Sequence, residues 1–403
     1  MENNVKWHSL AGIWFGGIVS VPALLVGSVL INSLSFYNAI LAGFLGFSFV
    51  VAFMCILSVF SFQKRMATVS LSSKGFGQLG ANYIVGLVIG LSTLGWFGVQ
   101  TSIAGASFSR IFAEMNGIDI PIWLSSIFWG TIMVLTAVFG FKYLKWLNYI
   151  AVPAIVLLLV YGLVITFKSH DFSEIIKYNP KEKISILQAM GVTIGFIVVG
   201  GVISPDYNRF AKSKKDAVLG SIIGVIIPAM LLLVIGAILA LTQDTHDIVE
   251  VFSSLGFPFF AMSILILATW TSNVMNIYSS GLAFTNLLNL KSHSRAKVTL
   301  ALGLLGVSLS VIGILNHFIG FITLLTVTIT PIAGVIIAAQ LAGNSGKYTS
   351  KKFNWAGIIS WLIGVALMLL TNSNLKYIIG LVTAGIVFLI INKIVENYNE
   401  KNQ

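Results

Sequence analysis

Apolar residues along this chain fall in long runs separated by short polar breaks, at 9–32, 36–62, 79–107, 120–140, 147–167, 187–204, 217–242, 256–285, 297–314, 316–341, 355–371 and 374–393. About 20 such residues make a helix that crosses the hydrocarbon core of a bilayer. The pattern therefore predicts an all-α polytopic membrane protein with twelve transmembrane helices, forming one integral membrane domain over 1–403. The first run does not read as a cleavable signal peptide, because it lacks a small-residue cleavage site and the second run follows after a very short turn. The narrowest division separates the ninth and tenth runs, where Asn316-His317 stands alone.

Composition agrees with that class. Charged residues make up 9% of the chain, against about 25% in ordinary soluble domains. The apolar fraction is 57%, and the mean hydropathy is +0.95. A soluble enzyme, a disordered chain, a coiled coil and a disulfide scaffold are excluded together. The single cysteine, Cys55, sits in an apolar run and reads as a small core residue.

Basic residues orient the spans. With the N-terminus inside, eighteen of the 24 Lys and Arg fall in cytoplasmic segments, and four of the remaining six share the outer loop 168–186. That bias is the expected one, and it predicts an integral plasma-membrane protein with both termini cytoplasmic. The net charge of +11 is then topology plus attraction to anionic inner-leaflet lipid, with no nucleic-acid partner.

All thirteen acids fall in loops, tails or helix ends. Proton-driven carriers usually carry a mid-membrane Asp, Glu or His relay, so the pattern argues against one, and against a pore ringed by charge. It leaves no side chains for intramembrane catalysis and implies no cofactor. A transported ion would be held by backbone and hydroxyl oxygens, which suits sodium.

Candidate chemistry sits in four runs. In the third, Trp96 and Gln100 are i and i+4 and share a helix face, with Thr93 a turn earlier and Gly95 and Gly98 allowing close approach. A stacking surface beside a carboxamide suits a planar, amide-bearing ligand; the same residues would also serve packing and an inter-helix bond. In the first run Pro22 follows Gly16-Gly17-Ile18-Val19-Ser20-Val21, and a proline at that depth frees carbonyls that transporters use for cations. Proline kinks without a ligand are also common. The eighth run holds Thr271-Ser272-Asn273 and Asn276, hydroxyls for a cation and amides for a polar cavity, or inter-helix bonds. In the sixth, Gly200-Gly201 just after Phe196 allows a break, and breaks in runs one and six are what an inverted repeat of five helices plus five predicts. Asp206 and Arg209 read as an interfacial ion pair or cap, His170 and His246 as solvated surface, and His317 as interfacial.

At these segments the chain resembles the nucleobase:cation symporter family, most closely its cytosine permease branch. The resemblance is carried by Gly95-Trp96-Phe97-Gly98-Val99, Ile150-Ala151-Val152-Pro153-Ala154-Ile155, Asp206 with Arg209-Phe210, Trp270-Thr271 through Tyr278-Ser279-Ser280-Gly281-Leu282, and Pro331 with Gly334-Val335-Ile336-Ile337-Ala338. It implies a LeuT-like fold of two inverted repeats, 9–167 and 187–341, plus two C-terminal helices within 355–393, and sodium-coupled alternating access. By position it assigns carbonyls of Gly16, Val19 and Ala268 and hydroxyls of Thr271 and Ser272 to sodium. It assigns Trp96 to stacking and Asn273 to a polar substrate contact.

Two departures shift the substrate. The cytosine permeases have glutamine where this chain has Thr93, whereas Gln100 resembles the hydantoin-transporting branch. In run six their serines flank a phenylalanine, and here either Phe196 or Ile197 takes that place. The expectation is a sodium symporter importing a nucleobase, cytosine first. Trp96 and Phe196 would sandwich the ring, while Gln100, Asn273 and Asn276 read its edge. A carrier of hydantoins, other purines or pyrimidines, or a hydroxymethylpyrimidine thiamine precursor is the near alternative; a nucleobase-sensing transceptor is the distant one.

Overall fold

The apolar runs become helices, joined mostly by short turns. The computed structural model describes residues 4–139, 144–180, 183–243, 245, 247–254, 258–342 and 352–401. Among the charged residues counted above, Glu2, Lys142, Lys181, Glu182, Asp244, Lys347 and Lys351 lie outside them, as does His246, read above as solvated surface. In chain order the long elements are α1 (Trp7–Ile18), α2 (Val21–Ser33), α3 (Phe36–Lys64), α4 (Gln78–Asn116), α5 (Ile122–Phe139), α6 (Leu144–Ser169), α7 (Ile186–Ile203), α8 (Lys214–Thr242), α9 (Pro258–Leu287), α10 (Arg295–Ile312), α11 (Phe318–Leu341), α12 (Trp355–Leu370) and α13 (Lys376–Lys401).

Ten of these helices are long and apolar enough to cross a membrane; α1 and α2, bent by 66°, make an eleventh if they count as one span, and α12 is a shorter apolar helix. Large apolar side chains also lie outside the protein core, among them Leu370 at 80% exposed and Phe139 and Ile312 at 77%. That surface suits lipid rather than water, and this is an integral multi-pass membrane protein.

The break in the first run falls at Val19–Ser20, not at Pro22. Proline has no N–H to lose in a first turn, where its fixed φ is already helical, so it begins α2 rather than kinking a continuous helix. Both halves lie along α8. Small residues allow this approach: a Cβ on Gly224 would stand 2.7 Å from Ala11 Cα, and one on Gly236 would stand 2.2 Å from the Leu24 carbonyl oxygen.

α7 runs unbroken through Gly200-Gly201, so the expected interruption there does not occur. The pair serves contact instead, since a Cβ on Gly201 would stand 2.7 Å from Phe53 and Val50 side chains and one on Gly200 3.4 Å from Trp14. The helix ends at Ser204, where Pro205 opens a short helix, Pro205–Asn208.

One other boundary is shifted. The ninth and tenth runs part at Gly313, whose φ of +93° needs no Cβ. Of the two roles expected for Asp206, ion pair with Arg209 or cap, the structure shows the cap: its Oδ1 accepts from Thr68 N at 2.8 Å, at the start of the helix Thr68–Phe76. The Arg209 guanidinium lies 4.6 Å from the Phe210 ring centre.

The α2–α8 approach makes a stability prediction. Gly236→Val should lower the thermal midpoint of the detergent-purified protein, by overpacking of about 1–3 kcal/mol. Gly12→Ala, where nothing lies within 4 Å, should not. Equal midpoints for the two variants would refute this packing.

Candidate binding site at the α4–α9 seam

α4 and α9 make the most extensive helix contact in the molecule. They run antiparallel, and polar bonds stitch them along their length. Ser280 Oγ donates to the Gly90 carbonyl at 2.9 Å, Asn273 Nδ2 donates to the Phe97 carbonyl at 3.1 Å and to Thr101 Oγ1 at 3.0 Å, and Ser272 Oγ donates to Gln100 Oε1. Several hydroxyls on these helices bond their own backbone: Thr93 Oγ1 donates to Ile89 or Gly90, and Thr271 Oγ1 to Ala268 at 2.9 Å. This local bonding lets Ser and Thr sit in an apolar helix at little cost. An amide cannot bond in that way and takes a partner from another helix.

Trp96 projects from α4 into a cage of phenylalanines. Its ring centre lies 5.8 Å from Phe196 on α7, and 6.0 and 5.3 Å from Phe318 and Phe321 on α11, with interplanar angles of 83°, 66° and 82°. All three contacts are edge-to-face. Gly95 makes room, since a Cβ there would stand 2.3 Å from the Phe321 ring. Phe196 rather than Ile197 is the aromatic neighbour of Trp96; Ile197 is buried in the core. The two rings are not stacked, and a third ring between parallel partners needs about 7 Å of separation at normal carbon–carbon contact. Phe318 and Phe321 were not anticipated. Their only sequence signal is the i, i+3 spacing at the start of α11.

The predicted residues of α9 divide. Asn273 is fully buried between α4 and α5, its Nδ2 also 3.2 Å from Met133 Sδ, and its Oδ1 has no partner. Asn276 is half-buried. Gln100, 4% exposed, has its Oε1 taken by Ser272, and its Nε2 has no protein acceptor among the described residues.

The residues at the span-one break are partly open. Val19 N donates to the Phe15 carbonyl at 2.9 Å, and Ser20 Oγ to Ile18 at 3.2 Å. Among the described residues no backbone N–H outside the helix ladders reaches the Gly16, Gly17 or Val19 carbonyl. A Cβ on Gly16 or Gly17 would meet nothing within 4 Å. The predicted ion residues of α9, namely Ala268, Thr271 and Ser272, are joined to Gly16 and Val19 by no hydrogen bond; α9 meets the first span through α2. Near the N-terminus a cavity of about 710 Å³ is lined by Lys6, His8, Ser9, Ile13, Tyr207 and Phe210, among others.

A family model described as permeases for cytosine/purines, uracil, thiamine and allantoin matches residues 1–390. The chain belongs to this family. It is a transporter, not an enzyme. The cytosine permease of Escherichia coli K12 is 27% identical over 363 residues, 88% of this chain and 81% of the relative. The hydantoin permease of Microbacterium maritypicum is 24% identical, covering 95% of this chain and 85% of its own. Among solved structures, the inward-facing conformation of Mhp1 superposes with a TM-score of 0.85 at 18% identity, covering 98% of this chain and 93% of that one. Mhp1, a nucleobase-cation-symport-1 family transporter, in a closed conformation with bromovinylhydantoin bound, gives 0.79 at the same identity, covering 98% and 95%. At such identity the likeness establishes the fold of this permease, which is LeuT-like.

Asn273 supplies a test of the seam itself. Asn273→Ala should destabilise the permease by about 1–3 kcal/mol, the cost of unpairing buried acceptors, read as a lower thermal midpoint without any ligand. An unchanged midpoint would mean that the bonds to Phe97 and Thr101 carry no stability.

Proposed function

We propose that this permease is a sodium-coupled importer of a planar nitrogen heterocycle, with cytosine as first substrate, working by alternating access. The observation that carries the reading is the position of Trp96: an indole in an aromatic cage, one turn from a buried glutamine that still has hydrogen-bonding capacity. Stacking on Trp96 tolerates many rings, whereas buried amides reject edges that leave them unpaired. Phe196 closes the other side once its ring turns from edge-on to parallel. Gln100 and Asn273 read the substrate edge, with Asn276 at its border and Thr93 and Ile197 lining the neighbourhood. The unpartnered Asn273 Oδ1 calls for an N–H on the substrate.

Sodium is assigned to the Gly16, Val19 and Ala268 carbonyls with the Thr271 and Ser272 hydroxyls. The break at Val19–Ser20 supports this set, because it leaves carbonyls without backbone donors, and oxygens of that kind suit a hard cation. Sodium and substrate would then tighten each other's binding by the same factor.

The accompanying topology has twelve spans, α1 and α2 sharing one. α12 spans despite its 16 residues, which reach about 24 Å and are accommodated by local thinning of the bilayer. Spans one to five and six to ten form the two inverted repeats, 9–167 and 187–341, α12 and α13 complete the bundle, and both termini face the cytoplasm across the plasma membrane.

A hydantoin is the second reading. It is favoured by Gln100 four residues after the tryptophan, and by the hydantoin permease relative.

Proteoliposomes holding the permease should take up radiolabelled cytosine when a sodium gradient points inward, and unlabelled cytosine should compete. Competition by hydantoins instead moves the substrate to the second reading, and uptake indifferent to sodium refutes the coupling. Trp96→Ala should abolish binding of every competing ring; retained affinity refutes stacking.

A further inference from the structure

Ser272 has one hydroxyl proton and three acceptors within reach. It donates to Gln100 Oε1, and its oxygen also lies 3.2 Å from the Ala268 carbonyl and 3.3 Å from the Thr269 carbonyl. A proton directed to Ala268 or Thr269 satisfies α9 alone and leaves the Gln100 side chain unpinned. Directed to Gln100, it occupies Oε1 and decides which end of the amide is left over. That end is Nε2, a donor on a buried side chain with no protein acceptor among the described residues. A donor in that state is free to take an acceptor from outside the protein.

A cation changes the choice among the three acceptors. Ala268 and Ser272 both belong to the sodium set proposed above, and this step rests on that reading. An ion held by the Ala268 carbonyl removes it as an acceptor, and an ion on Ser272 Oγ repels the hydroxyl proton. The acceptor left on the far side is Gln100 Oε1.

We propose that Ser272 is the positioning residue that couples the two solutes: with the cation bound, its proton holds Gln100 so that Nε2 is presented to a hydrogen-bond acceptor on the substrate. Without the cation, the α9 carbonyls compete for the proton and the hold on the amide is weaker. The substrate class follows from the same polarity. The edge facing Gln100 carries a ring carbonyl or an unprotonated ring nitrogen, and a ring offering only N–H groups there is rejected. The cation thus acts on affinity through one side chain, in addition to any movement of helices.

The test uses the full-length purified permease and two probes, radiolabelled cytosine and a radiolabelled hydantoin, each measured in sodium and in choline. Radiolabelled sodium binding is measured separately without either probe. In the wild type, sodium should tighten one probe by a factor in the usual coupling range of about 5–150-fold. In Gln100→Met that factor should collapse toward one while sodium affinity without probe is unchanged. Ser272 still reaches Ala268 in that variant, so no hydroxyl is orphaned and the fold is kept. Ser272→Thr, which keeps the hydroxyl, should keep coupling, and Ser272→Ala should lose sodium affinity and coupling together. Gln100→Met with the full sodium factor overturns the link and leaves the transport reading standing. A wild type whose binding of both probes ignores sodium overturns the transport reading and this inference with it.

Discussion

A helix that stops within the hydrocarbon leaves backbone groups with no water to serve them, and each costs several kcal/mol. The interruption at Val19–Ser20 confronts the fold with that cost. Val19 N and Ser20 Oγ serve two of the carbonyls at the break, leaving those of Gly16, Gly17 and Val19 without such donors among the described residues. The interruption persists because both halves of the span are clamped to one long helix. Gly220 and Gly224 let α1 approach α8, while Gly27 and Gly236 let α2 do so. α8 therefore acts as a splint across the break, which can hold open carbonyls without unravelling. The sodium ion proposed above would satisfy them.

The α4–α9 seam handles polar groups in two ways. Hydroxyls at Thr93, Ser102, Thr269 and Thr271 bond their own helix. They cost little and can exchange that bond for an ion or a neighbour. The amides of Gln100 and Asn273 have no such fallback, so each is fixed by its surroundings. Asn273 is bound through its amino group and Gln100 through its carbonyl oxygen. One leaves an acceptor over and the other a donor. Buried amides with leftover capacity are thus stronger pointers to a ligand than the more numerous hydroxyls.

That difference explains what is legible in the sequence. The apolar helices were legible because an apolar solvent imposes a coarse, length-based rule on every helix. The face shared by Trp96 and Gln100 was legible because i, i+4 geometry is local. Helix breaks were misplaced where one residue type has two physical uses. Pro22 starts a helix as readily as it kinks one, and Gly200-Gly201 gives room for Trp14, Val50 and Phe53 rather than freedom to bend. Asp206 took the second of its two expected roles, capping a helix nearly 140 residues earlier in the chain. The phenylalanine cage was illegible in principle, because α4, α7 and α11 come together only in the folded bundle.

The cage also limits how a flat ligand enters. Trp96 meets Phe196, Phe318 and Phe321 edge-on, so neither face of the indole is paired with a parallel ring. A planar ring on Trp96 needs about 3.5 Å of clearance, which must come from the phenyl rings. α7 is continuous through Phe196 and α11 through Phe318 and Phe321, so rotation about side-chain bonds is the first movement available, and shifts of whole helices the second. The second is not local. α7 packs on α3 and on α11, and α11 packs in turn on α12 and α13. A ring that displaces Phe196 therefore bears on the contact between α4 and the helices behind α7. This gives the aromatic cage a physical route from substrate occupancy to the arrangement of the bundle, and it requires no titrating group.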